Sequence, residues 1–283
     1  VLWKEREEVK KRFTLGKLII TFTVPLFGVI LASAFYPGLS TYLLPGLSVA
    51  LVGMVLVWIG QGSSMKVNEI FHSISGEGAH AGIPAVFVRL AGCNLACSYC
   101  DTQYAQKPEQ GVEMSVDEIL RRVREFREDG WVLITGGEPL SQDIQELVGR
   151  LRSRGYRIEV ETNGSFSPPL WASFVSCWSV DVKCPSSGPS YGSFNRKWLR
   201  RLRKQDQLKF VVDNEEDLGF VEGLLRDAKL RPTVLISPVF GQDTAGWLTQ
   251  KEWLQRCAEF CKEQNVRLSL QLHKIVWGEK KGV

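Results

Sequence analysis

Ala85-Val-Phe-Val-Arg89-Leu-Ala-Gly92-Cys93-Asn-Leu-Ala-Cys97-Ser-Tyr99-Cys100 decides the reading of this chain. The apolar run at 85–90 reads as a strand. Three cysteines, Cys93, Cys97 and Cys100, fall within the eight residues that close the stretch. Three thiolates so close together can hold three corners of one 4Fe-4S cube, and the fourth iron then has no protein ligand. Such an iron is a reaction site, whereas a fully ligated cluster only carries electrons. Zinc competes for the same thiolates but asks for four ligands in a tetrahedron. The nearest candidate, His80, lies thirteen residues before Cys93. A disulfide pair with a spare thiol is disfavoured by the odd count of seven cysteines and by the lack of secretory features.

Downstream, strand and helix patterns alternate. Strands are expected at 67–71, 85–90, 131–135, 157–161, 178–182, 208–212, 233–236 and 267–270. Helices are expected near 115–128, 142–153, 215–227 and 250–264, the first opened by the capping-box pattern Ser115-Val-Asp-Glu118. This order points to an α/β domain with a parallel sheet. At about 219 residues, 65–283 is short for a full eight-fold barrel, so a partial, open β/α barrel is expected. In such sheets chemistry gathers at the carboxyl ends of strands, and three further motifs stand at strand ends. They are Thr135-Gly136-Gly137-Glu138-Pro139, Glu161-Thr162-Asn163-Gly164 and Asp181-Val-Lys183. Glycines there let backbone approach a ligand closely, while Asp181 and Lys183 share one face of their strand.

The first 64 residues differ from the rest. They hold six Lys/Arg (Lys4, Arg6, Lys10, Lys11, Arg12 and Lys17) against three Glu, and no charge occurs from Leu18 to Met65. Apolar runs at 18–35 and 39–59, separated by Tyr36-Pro37-Gly38, each have about the 20-residue length that spans a bilayer. Two readings stay open: a two-helix membrane hairpin tethering the catalytic part to the cytoplasmic face, or an upstream extension that is not part of the working protein. A third, buried soluble helices, is the weaker one. The domain division is therefore 1–64 and 65–283. Residues 65–283 carry 29 cations against 28 acids, a balance without the basic footprint of a nucleic-acid binder.

With Tyr99 before the last cysteine and Gly-Gly-Glu-Pro behind the next strand, the pattern resembles the radical S-adenosylmethionine (SAM) superfamily. Within it, Asn68-Glu-Ile-Phe71-His-Ser-Ile-Ser75-Gly76-Glu77-Gly78, Cys100-Asp101-Thr102, Asp181-Val-Lys183-Cys-Pro185 and Leu270-Gln-Leu-His273-Lys-Ile-Val-Trp277 resemble the 7-carboxy-7-deazaguanine synthases. The resemblance covers 65–283 and none of 1–64. It implies the partial barrel of the radical SAM type, a 4Fe-4S cluster on the three cysteines, and SAM chelated to the open iron and split to a 5′-deoxyadenosyl radical. It also implies the family reaction, in which 6-carboxy-5,6,7,8-tetrahydropterin becomes 7-carboxy-7-deazaguanine with loss of ammonia, on the route to queuosine. Magnesium, a flavodoxin or ferredoxin as electron donor, a homodimer and a cytoplasmic setting come with it.

Carried over to this chain, the resemblance assigns SAM to Tyr99, Asp101, Gly136, Gly137, Glu138, Asn163, Asp181 and Lys183, and magnesium to Thr102. Substrate falls to Ser75, Gly76, Glu77, Arg89, Thr135, His273 and the terminal Val283. Those residue types suit the roles. Arg89 offers a planar fork to a carboxylate, Glu77 accepts from ring NH groups, and the Thr102 hydroxyl is a hard oxygen ligand. Two positions depart from the family pattern, with Ser75 where glutamine is common and Asp181-Val-Lys183 where Ser-Pro-Lys is common. A glycyl-radical activase would keep the cysteine loop and the Gly-Gly motif but leave the Ser75–Gly78 and His273–Trp277 segments unexplained. A membrane-tethered iron–sulfur electron carrier would need no SAM motif. Cys177, Cys184, Cys257 and Cys261 are expected to be buried small apolar residues.

Overall fold

Strands β1 (Ser64–Ile74) and β2 (Pro84–Leu90) run antiparallel, and the edge strand β3 (Val112–Ser115) pairs antiparallel with the start of β1. The chain then alternates: helix α1 (Val116–Phe126), β4 (Trp131–Gly136), α2 (Gln145–Ser153), β5 (Arg157–Thr162), β6 (Cys177–Lys183), α3 (Lys197–Arg201), β7 (Gln207–Val212), α4 (Glu215–Asp227), β8 (Thr233–Pro238), α5 (Lys251–Gln264), β9 (Arg267–Leu268) and α6 (Leu272–Trp277). This is a computed structural model, and it describes residues 63–227, 230–239, 251–278 and 280–283. The strand order is β3-β1-β2-β4-β5-β6-β7-β8-β9, and every pairing from β2 to β9 is parallel. β3 and β9 stand at the two ends, so among the described residues the sheet stays open.

The parallel strands are buried on both faces, as crossover helices require. Val86, Val88 and Leu90 of β2, Val132 and Ile134 of β4, and Ile158 and Val160 of β5 join the outer core. There they meet Ile119 and Val123 of α1, Leu147 and Leu151 of α2, Leu218 of α4 and Phe260 of α5. The alternate residues Ala85, Phe87, Trp131, Leu133 and Cys177 form a second, inner cluster. Helix α1 shows how local sequence sets an element. Ser115 caps it by accepting from the Glu118 backbone N–H at 3.2 Å, Asp117 and Glu118 sit in its first turn, and Val116, Ile119, Leu120 and Val123 bury one stripe.

Along each inner face the chemistry changes toward the carboxyl end. Phe87 gives way to Arg89, Leu133 to Thr135, and Cys177 to Asp181 and Lys183. At the amino ends of β5 to β7 a closed polar network floors the barrel. Gln207 donates its amide to Glu159 Oε1 (3.2 Å) and to Cys177 Sγ (3.3 Å) and accepts from Ala79 N (2.9 Å); His80 Nδ1 lies 2.6 Å from Glu159 Oε2.

Eight expected strands and four expected helices are present, with shifted ends. The second helix begins at Gln145 rather than 142, because the Gln142 side chain bridges backbone instead: it accepts from Lys66 N (2.7 Å) and donates to Lys66 O and Ala91 O. β3, α3 and α6 were absent from the sequence reading. β3 buries only Met114 of its four residues, too little for a strand pattern. The structured unit starts before residue 65: Ser63 donates through both N and Oγ to Glu146, and Ser64 pairs with Ser115. The proposed hairpin at 18–59 lies outside the described residues. Among the described residues no helix is long and apolar enough to cross a membrane.

Trp198 locks α3 to the barrel. It is fully buried, its ring centroid lies 5.0 Å from that of Trp178, and its indole N–H donates to Phe166 O at 2.8 Å. Replacing it with alanine leaves a large cavity and removes that hydrogen bond, so Trp198→Ala is expected to cost about 3–5 kcal/mol of unfolding free energy in urea melts.

Candidate active site at the carboxyl ends of the strands

The cysteine loop leaves β2 and is stitched to its neighbours by backbone. Gly92 N donates to Ala105 O (2.8 Å), Cys93 N to Gln106 O (2.7 Å) and Ser98 N to Ser187 O (3.3 Å), while Ala96 N donates to Ser190 Oγ (3.2 Å). Beside it, Gly137 N donates to Leu90 O and Glu138 N to Gly92 O. A Cβ on Gly136, which has φ +119°, would lie 2.1 Å from Leu90 O, and one on Gly137 would lie 2.2 Å from Gly92 O. Backbone-to-backbone contact alone requires the Gly-Gly pair, and both glycines also line the cavity.

That cavity, of about 280 Å³, lies at the carboxyl ends of the strands. Cys93, Cys97 and Cys100 all line it, half-buried and free of disulfides. Cys93 Sγ accepts from Leu95 N (3.5 Å) and faces Asn163 Nδ2 at 3.7 Å, and burial raises its thiol pKa. Three thiols lining one cavity, with N–H groups directed at the Cys93 sulfur, suit an iron–sulfur cube with one open corner. The Tyr99 hydroxyl is buried in the cavity wall without a hydrogen-bond partner. Burial raises its pKa, so it is a neutral donor facing the site.

The same cavity is lined by a row of paired charges. Lys183 pairs with Asp181 at 2.7 Å, Lys209 with Asp181 at 3.4 Å, and Lys209 with Glu77 at 2.9 Å. Gln271 donates to Glu77 at 2.8 Å and reaches Asp101 at 3.4 Å; Asp101 accepts from the Thr102 hydroxyl at 2.8 Å and lies 3.8 Å from Lys274. Burial pushes the Glu77 and Asp181 carboxyls up, but Lys209 on Glu77, and Lys183 with Lys209 on Asp181, outweigh it and hold both below the usual carboxylate range. Burial alone would lower Lys209; Asp181, Glu77 and Glu161 raise it well above normal. Glu161 behaves differently. Its Oε2 accepts only the Thr135 hydroxyl, at 2.6 Å, and burial carries its pKa to about 7 despite Lys209.

Of the residues singled out from the sequence, Gly76, Glu77, Arg89, Cys93, Cys97, Tyr99, Cys100, Asp101, Thr102, Thr135, Gly136, Gly137, Asn163, Asp181, Lys183, His273 and Val283 line this one cavity. Two do not. Ser75 is buried and gives its hydroxyl to Glu77 O, so it shapes the turn that presents Glu77. Glu138, assigned to SAM from the resemblance, is buried and does not line the cavity. Its oxygens accept from Leu140 N (2.8 Å), Thr162 Oγ1 (2.8 Å) and Asn163 N (2.6 Å), tying the end of β4 to that of β5. Burial lifts its pKa to about 7 against those three donors. Arg89 lines the cavity with Nε held by Glu69 at 2.7 Å. The His273 ring occupies the space where a side chain on Gly76 would stand: a Cβ there would lie 2.0 Å from Nδ1.

Sequence reasoning passed over Lys209, Tyr104, Gln271 and Lys274 and gave Glu161 no role beyond opening a strand-end motif. A lysine inside the apolar run Leu208–Val212 was the available signal for Lys209. Among the described residues the other four cysteines share no site. Cys177 lies in the inner cluster and Cys184, Cys257 and Cys261 in the outer core.

Comparison with known proteins gives the following. A family model described as the Radical SAM superfamily matches residues 88–176. The chain is 38% identical over 220 residues to the 7-carboxy-7-deazaguanine synthase of Methanospirillum hungatei, covering 76% of this chain and 87% of that protein. It is 40% identical over 231 residues to the 7-carboxy-7-deazaguanine synthase of Koribacter versatilis, covering 77% of this chain and all of that protein. The crystal structure of QueE from Escherichia coli superimposes with a TM-score of 0.59 at 24% identity, covering 74% of this chain and 94% of that one, a likeness of fold.

Removing the Glu138 carboxylate strands two buried N–H groups and a hydroxyl, each worth about 1–3 kcal/mol when unpaired. Glu138→Ala is therefore expected to lower unfolding free energy by about 3 kcal/mol or more. Urea melts of the cluster-free protein check this; a melt like that of the unsubstituted chain would mean the brace carries no stability.

Proposed function

The chain belongs to the 7-carboxy-7-deazaguanine synthase family of radical SAM enzymes, and we propose how its own residues divide the conversion of 6-carboxytetrahydropterin to 7-carboxy-7-deazaguanine with loss of ammonia. The observation that carries this division is that one cavity is lined both by three free cysteines and by the Asp181–Lys209–Glu77 charge line. Cys93, Cys97 and Cys100 hold the cluster. Tyr99, Asn163, Asp181, Lys183 and the Gly136–Gly137 backbone border SAM. When bound, the cluster supplies the electron that cleaves SAM and so opens radical abstraction of a substrate hydrogen.

The remaining residues bind and orient the pterin. Glu77, kept ionised beside Lys209, accepts from the ring NH groups, and Glu161, oriented by the Thr135 hydroxyl, offers a second acceptor. Arg89 and Lys209 offer positive charge to the substrate carboxylate. The Thr102 hydroxyl and Asp101, 2.8 Å apart, are a hard-oxygen pair suited to magnesium, with substrate oxygens and water completing the shell. His273 closes the wall over Gly76. The terminal segment from Lys280 to Val283 lines the mouth of the cavity, with Lys281 Nζ 4.1 Å from the Tyr104 ring centroid. We further propose a homodimer working on the reducing, cytoplasmic side, where thiolates and a reduced cluster persist.

Anaerobic turnover of the full chain with reconstituted cluster, SAM, magnesium, reductant and 6-carboxytetrahydropterin tests the reading. The expected outcome is 7-carboxy-7-deazaguanine by mass spectrometry; SAM cleavage without that product would overturn the substrate assignment. Cys97→Ala is expected to bind less iron and to lose reductant-dependent SAM cleavage. Arg89→Ala should keep its cluster and turn over the pterin with a raised KM.

Glu161 sets a pH dependence. Its carboxyl is raised to about 7, so below that pH the free enzyme holds it protonated, with one oxygen turned from acceptor to donor. If Glu161 must accept from the pterin, kcat/KM falls as pH drops through about 7, with a slope of one proton. In Glu161→Gln the whole profile should be lower and that limb absent. A wild-type limb persisting in the variant would assign it to another group.

A further inference from the structure

Helix α3 and its flanks carry charge unlike any other element of the described domain. Residues 196–204 hold Arg196, Lys197, Arg200, Arg201, Arg203 and Lys204, and no acid occurs from Val182 to Gln205. Without those six cations residues 65–283 would be net negative, so the patch is a local feature of a nearly neutral domain. Ordinary solvated helices pair their charges. In α1, Arg121 pairs with Glu125, Arg122 with Glu118 and Arg124 with Glu128. In this stretch only Arg203 has an ion pair among the described residues, with Asp206; Arg196, Lys197, Arg200, Arg201 and Lys204 are exposed and have none.

The patch starts at the cysteine loop. Asn94, the residue after Cys93, donates to Ser165 Oγ at 2.9 Å. Two residues on, Ser167 Oγ accepts from Asn195 Nδ2 at 3.1 Å, and Asn195 N donates to Gly164 O at 2.9 Å. Arg196 follows directly. The other side of the loop is joined as closely: Ser98 Oγ donates to Ser186 O at 2.6 Å, and Gly188, Pro189 and Tyr191 next to that contact are exposed. Trp198 anchors α3, so the cations sit on a fixed platform.

We propose that this face, the outer rim of the cysteine loop with Arg196, Lys197 and Arg200 at the near end of the basic stretch, docks a small acidic protein that carries one electron to the cluster. One electron leaves the reduced carrier and enters the cluster; the carrier is oxidised by one, the cluster is reduced by one, and no proton or covalent bond changes hands. An unpaired basic patch beside the electron's destination speeds encounter with an acidic partner and fixes its orientation, while a polar rim with one exposed tyrosine permits the fast release a carrier needs. A nucleic acid would also be drawn to these cations, but adjacency to the cysteine loop favours the carrier. The inference rests on the reading of that loop as a cluster site.

The test uses the holoenzyme, a purified bacterial flavodoxin in its fully reduced form, and stopped-flow bleaching of the cluster. Wild type should be reduced fast at low salt and progressively more slowly as salt rises. Arg196→Glu/Arg200→Glu should lower the second-order rate about tenfold or more and flatten the salt dependence. Arg196→Gln/Arg200→Gln should lie between, which keeps the test if charge reversal disturbs folding. Calorimetric titration with oxidised flavodoxin should show affinity falling in the same order. Reversal of Arg121 and Arg124 on α1 should leave the rate unchanged. Iron content, SAM binding and reduction by dithionite, measured on the same samples, should match wild type. Wild-type rates in both Arg196/Arg200 variants would overturn the proposal. So would loss of transfer-RNA binding in them with flavodoxin reduction intact. Failure of wild type to load iron or to be bleached by dithionite would instead strike the cluster reading itself, and the proposal with it.

Discussion

Two backbones touching at the ends of β2 and β4 set the rest of the site. Gly136 and Gly137 lie so close to Leu90 and Gly92 that no Cβ fits, and the contact is held by the Gly137 N–H to Leu90 O and the Glu138 N–H to Gly92 O. Two adjacent glycines cost conformational entropy on folding, which these hydrogen bonds and the packing beneath them offset. Glu138 then extends the junction to β5 through Thr162 and Asn163, and Asn163 returns to Asn94 and Cys93. Three strand ends and the cysteine loop thus form one rigid rim. A cluster held by short thiolate bonds needs a rim of this kind, because a loop free to move would spread its three sulfurs.

The charge line is the second constraint, and it follows from burial. An isolated buried ion is costly, whereas a chain of alternating signs lets each charge meet its opposite. Asp181 meets two lysines, Lys209 meets two carboxylates, and Glu77 meets Lys209 and the Gln271 amide. The acids in this chain stay ionised and the lysines protonated before any ligand arrives, so their fields are already oriented. Glu161 stands outside it, paired only with a hydroxyl, and burial decides its protonation. Two carboxyls in one cavity are thereby driven to different states: Glu77 as a standing acceptor, Glu161 as a group that changes within the physiological range.

What the sequence made legible was whatever depends on neighbours along the chain. The Cys93–Cys100 spacing, the buried strands and the Ser115 cap are local, and the structure has them. What it hid depends on partners far away in sequence. Lys209 and Glu77 are separated by 132 positions and Gln271 and Glu77 by 194, so nothing in either segment announces the pairing. The direction of Glu138 was hidden for a related reason. A glutamate after two glycines can face ligand or backbone, and only the positions of Leu140, Thr162 and Asn163 settle it. Ser75 was read as a shortened substrate contact, but its hydroxyl is taken by the carbonyl of Glu77 two residues on.

The cysteine loop has two sides with different duties. Cys93, Cys97 and Cys100 face the cavity, while Asn94, Ala96 and Ser98 are exposed between them. This alternation follows from an irregular loop wrapping three thiols around one volume, and it has a kinetic consequence. On the reading proposed above, an electron entering through the exposed side does not cross the cavity, which the tail residues Lys280 to Val283 help to line. A chemistry that needs an outside electron is served by a thin loop with sulfur on one side and solvent on the other.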